Sequence, residues 1–270
     1  MDDLDLDPSR PNESDAPLML DRRGRIATMV RQRGSVRVQE LAEQFQVSPV
    51  TIRTDLVQLE KDGLLVRDRG GAVASSQPSA LVAFENRTSL HLNAKQAIGR
   101  AAAALVTPGD TILLDAGTTV VEMVPYLPQS GPLTVVTNAL NVGLALQALR
   151  EARVVLLGGT INYATFGTLG PLAEQVLDGL VIEKLFLAAE SIDLHNGVTD
   201  STIEIAQLKR AMVRAARQVI LCADSSKWGR TGFIKVAALS AVHTVISDPG
   251  LPASEQLALE RLGVRVMIAQ

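Results

Sequence analysis

The chain is poor in aromatic residues, nearly without cysteine, and lacks any long apolar run. Phe, Trp and Tyr make up 3% of its 270 residues, so a core must be assembled from Val, Leu, Ile and Ala. A single cysteine, Cys222, excludes an intrachain disulfide framework. It stands in the apolar run "QVILCAD", where a buried, inert thiol is expected. No apolar stretch is long enough to span a bilayer. The N-terminal "MDDLDLDPSRPNESDAP" has neither the basic start nor the apolar centre of a secretory signal, and a cytoplasmic location is expected. His91, His195 and His243 are far apart and nothing at ligand spacing accompanies Cys222, so no metal site is expected. A Gly-x-Gly-x-x-Gly fingerprint is also missing, and no dinucleotide or other cofactor is implied.

What is present is the balance of a soluble globular protein, 47% hydrophobic and 20% charged residues with a net charge of −3. That sum hides a segregation. Residues 1–20 hold six acids against one Arg, residues 21–73 ten bases against seven acids, and residues 74–270 fifteen bases against sixteen acids. Only the middle segment is basic, which permits a nucleic-acid partner, although ordinary solvated charge accounts for so small an excess equally well.

Residues 1–17 read as a disordered acidic tail. From Leu18 to Arg33, "LMLDRRGRIATMVRQR" sets Leu18, Arg22, Ile26, Met29 and Val30 at helical spacing. "GSVRV" is a break and a short extended piece, "QELAEQF" a second short helix, and "SPVTIRTDLVQLEKDG" a third. Ser48 suits the N-cap, Pro49 the first helical position and Gly63 the residue after the end. On a helical wheel Ile52, Leu56 and Leu59 form one buried stripe. Val50, Thr54, Gln58 and Lys61 lie opposite, with Thr51 and Arg53 flanking. Asp55 needs a basic partner, Arg53 or a neighbour. "LLVRDRGGAVA" alternates around Gly70-Gly71 as a hairpin. Residues 18–74 therefore give helix, strand, helix, turn, helix, hairpin, which is a winged helix-turn-helix. A surface helix would show the same wheel, but the hairpin favours DNA. Arg67 and Arg69 flank its Gly70 turn where a wing meets a backbone. Arg22, Arg23 and Arg25 of the first helix, and Arg37 of the extended piece, are further phosphate candidates.

Residues 75–84, beginning "SSQPSA", read as a linker, and residues 85–270 as a second domain. Its apolar runs "TILLDAG", "LTVVTN", "RVVLLGG", "KLFLAAE", "QVILCAD", "HTVISD" and "VRVMIAQ" are mostly separated by helical stretches such as "TTVVEMVPYL", "NALNVGLALQAL" and "EIAQLKRAMVRAA". That alternation predicts a mostly parallel α/β sheet covered on both faces, with loops gathered at the carboxyl ends of the strands. Those ends carry Asp115 with Gly117, Thr118 and Thr119; Thr137, Asn138 and Asn141; Gly158 and Gly159; and Asp224 with Lys227. A Gly-Thr-Thr turn alone caps many helices, but several polar strand ends together suit a polyhydroxylated, phosphorylated small molecule.

The run "RRGRIATMV…VSPVTIRTDLVQLEKDGLLVRDRGGAV" resembles the N-terminal domain of the DeoR family of bacterial transcriptional regulators, with matching residue types at fixed spacings over about fifty positions. Thr54 departs from the family's longer polar residue, which bears on the operator sequence rather than on DNA binding. The resemblance continues through "DAGTT", "TNALN", "GGT", "IDLHNGVT", "LKRAM" and "DSSK". It implies a C-terminal domain similar in fold to ribose-phosphate isomerases and CoA transferases, which binds a phosphorylated sugar. It adds Lys95, Asp193, Glu204 and Lys209 to the pocket candidates above. Ile205, Pro171 and Glu190 stand where an acidic residue, Asp and Asp are usual, which leaves the identity of the sugar open; the C-terminal motifs look most similar to regulators of amino-sugar or polyol catabolism.

The expectation is thus a repressor of a carbohydrate-catabolism operon. Its partners would be double-stranded operator DNA, a sugar-phosphate effector and further copies of itself as homodimer or homotetramer, since symmetric operators need at least two readers. The alternative is a sugar-phosphate isomerase or transferase with a fused DNA-binding module, for which Asp115, Glu190, Asp193 and Asp224 are available as general bases.

Overall fold

A computed structural model describes residues 16–61, 64–68, 70–74, 84 and 87–270. Nearly all of the expected acidic tail and linker, the helix stop at Gly63, and Arg69 lie outside the described residues. Contacts group the chain into two compact units, residues 1–83 and 84–270.

The first unit runs α1 (Ala16–Arg33), β1 (Ser35–Arg37), α2 (Val38–Phe45), α3 (Pro49–Lys61), β2 (Leu65–Asp68) and β3 (Gly71–Ala74). The expected spacing in α1 buries Ile26, Met29 and Val30 against Val36, Leu41, Ile52, Leu56 and Leu59. Gln46 ends α2 in the left-handed region at φ 54°, and Ser48 starts α3 by accepting the Thr51 N–H at 3.1 Å. The strands form an antiparallel sheet in the order β1-β3-β2. Both glycines of the wing turn are required. Gly70 sits at φ +85°, and a Cβ on Gly71 would lie 2.1 Å from the Val36 carbonyl oxygen, because β3 passes directly beside β1.

The second unit continues with α4 (Leu92–Ala103), β4 (Thr111–Leu114), β5 (Leu133–Thr137), α5 (Leu140–Ala145), β6 (Ala152–Leu156), β7 (Thr160–Asn162), β8 (Gly167–Leu169) and α6 (Pro171–Asp178). Then come β9 (Ile182–Ala188), β10 (Ser191–Asp193), β11 (Gly197–Asp200), α7 (Ile203–Ala215), β12 (Ala216–Cys222), β13 (Ile234–Ala237), β14 (Thr244–Ser247), α8 (Ala253–Arg261) and β15 (Arg265–Ile268). The seven apolar runs read from the sequence are the seven strands of one parallel sheet, ordered β15-β14-β12-β9-β4-β5-β6. Alternate residues face opposite layers. Ile112, Leu114, Val135, Phe186, Ile220, Cys222 and Ile246 meet α4 and α5, whereas Leu113, Val136, Leu185, Leu187, Val219, Leu221 and Val245 meet α6, α7 and α8. Burial pushes the Cys222 thiol up to about 12, which keeps it protonated and inert.

Two features depart from the sequence reading. "TTVVEMVPYL" forms a 3-10 helix, Val120–Tyr126, in which Pro125 lacks the N–H that α-helical pairing needs. Between β9 and β14 the chain also builds a small antiparallel sheet, β10-β11-β13, from residues with no long apolar run. Two atypical positions gain a reason: Ile205 is buried among the apolar residues beneath α7, and Pro171 opens α6 at its first position after Gly170 at φ +105°.

The sheet winds outward from β4 through β5 to β6, then returns to β9 beside β4 and winds the other way. The carboxyl ends of β4 and β9 therefore flank the switch point where open α/β sheets take ligands. In the first unit, Gly71→Ala is expected to cost about 1–3 kcal/mol through forced separation of β1 and β3. Urea denaturation of the full chain reads this directly, and a change below about 0.5 kcal/mol would contradict the close approach.

Candidate DNA-binding surface and effector site

On α3 the apolar stripe lies inward, with Ile52, Leu56 and Leu59 all at most 2% exposed. Val50, Arg53 and Thr54 are exposed, and Thr51 and Gln58 are half-buried. Thr54 donates its hydroxyl back to the Val50 carbonyl at 3.1 Å, and the Thr51 and Ser48 hydroxyls lie 2.9 Å apart. Arg37 is exposed beside the Gly70 turn, whose carbonyl accepts the Val38 N–H at 2.9 Å. Arg67 is drawn to α3, its Nε 2.9 Å from Glu60 Oε2 and its backbone N–H donating to Glu60 Oε1. That backbone bond first, and the guanidinium with it, holds the exposed Glu60 carboxyl below the usual range.

Asp55 is buried at 1% exposure on the inward, otherwise apolar side of α3. Its partner was expected to be Arg53 or a neighbouring basic residue. Arg22 and Arg23 take that place instead, with Nε atoms at 2.6 and 2.8 Å from its two oxygens. The reason is steric: Asp55 faces inward between Ile52 and Leu56, toward α1, whereas Arg53 points outward. Arg22 and Arg23 thus brace α1 against α3, a task that sequence reading had not assigned them.

In the second unit Asp115 leaves the end of β4 and is 1% exposed. One of its oxygens accepts the Ala188 N–H at 3.0 Å and lies 3.5 Å from Lys209 Nζ. Lys209 also donates to Asp200 Oδ2 at 2.7 Å and to the Ala188 carbonyl at 2.9 Å. Lys209 could be read as a pocket lysine or as a solvated surface one; the structure overturns the surface reading, since Lys209 is a buried ammonium clasped by two carboxylates. Burial disfavours its charge, but Asp115 and Asp200 outweigh this and hold its pKa above the ordinary lysine value. Burial likewise pushes Asp200 up, and Lys209 more than reverses it, whereas for Asp115 burial prevails and the carboxyl is raised. Glu190, exposed just after β9, also helps to lower the Asp200 carboxyl.

A second group of charges gathers nearby in sequence order, from α4, the 3-10 helix and the end of β12. Lys95 is buried and donates Nζ to the Arg87 carbonyl. Burial lowers its pKa, as do Lys227 and Arg87, while Asp224 and Glu122 oppose them. Arg87, whose guanidinium donates to the Ala164 carbonyl, was missed in the sequence, because "FENRTSL" carries no motif. Asp224 accepts the Ser226 N–H at 3.1 Å through Oδ1, and its Oδ2 is buried without a partner among the described residues. Gly117 begins the loop after β4, where a Cβ would lie 2.5 Å from that of Ala188. Thr118 is half-buried and Thr119 buried beside it.

Several other candidates make bonds within the frame. Thr137 donates to the Leu114 carbonyl at 2.7 Å and accepts the Ala139 N–H. Asn138 pins β4 to β8, accepting the Ala116 N–H and donating to the Thr168 carbonyl, both at 3.1 Å. Asn141 is half-buried on α5, and its Oδ1 has no partner among the described residues. Gly158 is exposed, and Gly159 (φ +126°) lets the chain pass the Leu169 carbonyl, 2.3 Å from where a Cβ would stand. Glu204 is exposed in the first turn of α7. Asp193 holds a turn, its oxygens accepting from His195, Asn196 and Thr231. Slight burial raises it, but those donors hold it down to about 2.

Residues 22–78 match the DeoR-like helix-turn-helix domain and residues 90–249 the DeoR C terminal sensor domain. The chain belongs to the DeoR family of transcriptional regulators. The uncharacterized HTH-type transcriptional regulator YulB of Bacillus subtilis is 39% identical over 92% of this chain and 96% of its own length. The glycerol-3-phosphate regulon repressor of Escherichia coli K12 is 31% identical over 85% of this chain and 90% of its own. Among solved structures, ribose 5-phosphate isomerase A from Neisseria gonorrhoeae overlaps 50% of this chain and 52% of its own with a TM-score of 0.36 at 16% identity. Among the described residues, no helix of this DeoR-family protein is long and apolar enough to cross a membrane.

Lys209→Met leaves Asp115 and Asp200 buried without their cation, and is expected to lower stability near pH 7 by about 3 kcal/mol. In the parent, the depressed Asp200 contributes above the ordinary carboxylate pKa, and this is lost only as pH falls through its lower folded value. The raised Lys209 contributes below the ordinary lysine pKa and is lost as pH climbs through its higher one; the raised Asp115 opposes stability less as pH falls. Urea titrations at about pH 7 and pH 5 should therefore show the deficit of the variant shrinking at the lower pH, where its stranded carboxyls take up protons. A deficit that is constant or grows would mean that Lys209 is not the counter-ion.

Proposed function

We propose that the chain is a cytoplasmic repressor of a carbohydrate-catabolism operon, which binds double-stranded operator DNA through α3 and the wing and lets go when a phosphorylated sugar binds the second unit. The reading of DNA rests on the outward face of α3. Thr51, Arg53, Thr54 and Gln58 are the base-edge candidates, with Val50 apolar enough to meet a thymine methyl group. Ser48 and Pro49 set the helix start toward the backbone, and Arg37, Arg67, Arg69 and the Gly70 turn supply phosphate contacts. Arg22 and Arg23 contribute chiefly by holding α3 in place. Binding weakens steeply with salt.

The observation that carries the effector reading is the gathering of Arg87 and Lys227 about the buried Lys95, whose charge both disfavour, with the Gly117-Thr118-Thr119 loop following β4 at the switch point. Such a cluster favours an anion, and a phosphate fits its charge. Asp115, Asp200 and Glu190 offer acceptors for hydroxyl or amino groups of the same ligand. The glycerol-3-phosphate named by one relative supports a phosphorylated effector. We infer binding rather than turnover, because Lys209 is already clasped by two carboxylates. Effector and operator oppose each other by an expected coupling of about 1–3 kcal/mol, equal in both directions.

Thermal-shift screening of the full chain against pentose, hexose, amino-sugar and polyol phosphates tests this. One compound should stabilise selectively, by about 2.7 kcal/mol at a hundredfold excess over its Kd. Lys227→Gln should abolish that shift and spare operator binding, whereas Arg53→Ala should do the reverse. Operator affinity that stays identical with every compound would end the effector reading.

A further inference from the structure

β6 closes one side of the seven-stranded sheet: β5 pairs with one of its edges, and among the described strands none pairs with the other. The Leu157 amide donates to the Thr137 carbonyl of β5 at 2.8 Å. Peptide groups alternate in direction along a strand, so those of Arg153, Val155 and Leu157 face β5, and those of Val154 and Leu156 face outward. Side chains alternate as well. Val155 packs on the layer of α6 and α7, which turns Val154 and Leu156 to the layer of α5. There Leu156 comes within 3.7 Å of where a Cβ on Gly143 would stand. Yet Val154 is 38% exposed, Leu156 48%, and Leu144 of α5 65%. Edge strands that face water usually carry a lysine, a proline or a bulge at outward positions to refuse a partner. Ala152, Val154 and Leu156 provide no such guard.

We propose that a second copy of the chain docks on this edge, its β6 running antiparallel to the first about a two-fold axis through Val154. Under that operation the Val154 N–H meets the partner's Val154 carbonyl, and the reverse. The Leu156 N–H likewise meets the partner's Ala152 carbonyl. Donor faces acceptor at each place, so the partial charges along the edge complement themselves about this residue. The Ala152 N–H is already spent on the Leu149 carbonyl at 3.2 Å, which marks where the pairing stops. The apolar side chains fall on one face: Val154 against the partner's Val154, Leu156 against the partner's Ala152, and Leu144 along the seam. The two sheets become one. A two-fold pair also matches the need of a helix-turn-helix protein to read both halves of a symmetric operator. The inference is independent of any effector.

Light scattering on the full chain at micromolar concentration tests it, with circular dichroism to follow the fold. Val154→Pro removes one outward N–H and leaves the bonds to β5, a change that edge strands tolerate. The parent is expected as a dimer or a multiple of one, and Val154→Pro at half the parent's mass with unchanged circular dichroism. Leu144→Glu lies outside the strand and should weaken association at least tenfold, which keeps the test decisive if the proline variant fails to fold. A monomeric parent overturns the proposal, whether the edge then takes an extended peptide of another protein or nothing. So does a parent-like mass in whichever of the two variants folds.

Discussion

The Lys209 ammonium is the point from which the second unit can be understood. Anchored on α7, it reaches the Asp115 carboxylate after β4, the Ala188 carbonyl at the end of β9 and the Asp200 carboxylate at the end of β11. Asp115 returns the tie by accepting the Ala188 N–H. A charge so deeply buried is tolerated only when matched by charges of the opposite sign and by well-directed hydrogen bonds. These requirements fix β4, β9, β11 and α7 relative to one another at the switch point of the sheet. The loop after β4 and the cations from α4 and β12 are arranged around a frame already rigid.

The first unit uses the same device for another purpose. Asp55 lies on the buried side of the helix that carries the outward Arg53, and Arg22 and Arg23 of α1 satisfy it. A recognition helix must present its polar side at a fixed angle, and an apolar stripe of Ile52, Leu56 and Leu59 alone would allow it to roll. The paired charges give that packing a direction. In both units the buried ions do more for geometry than for net stability, since desolvation offsets much of their attraction.

Much of the architecture could be read without coordinates. The seven apolar runs became the seven parallel strands because a strand covered on both faces must be apolar throughout, a pattern short enough to see in the chain. The winged helix-turn-helix was legible for a related reason, since its caps, its apolar stripe and its Gly70-Gly71 turn are each set by neighbours in sequence. Less was visible where the partner is distant. Arg87 stands in a stretch without motif, and Asp200 ends an unremarkable four-residue strand. The β10-β11-β13 sheet is built from short segments whose pairing depends on a strand more than thirty residues on.

The residues by themselves therefore determined the kinds of element, their order and the family to which the chain belongs, because local propensity and apolar periodicity act over a few residues. Only the tertiary structure decided which charges meet one another. In the sequence Lys209 and Asp193 stand as pocket candidates and Arg22 and Arg23 as phosphate candidates; the fold adds the ion pairs and the turn that they make. Their roles follow from what burial brings beside them, and burial is a property of the whole folded unit.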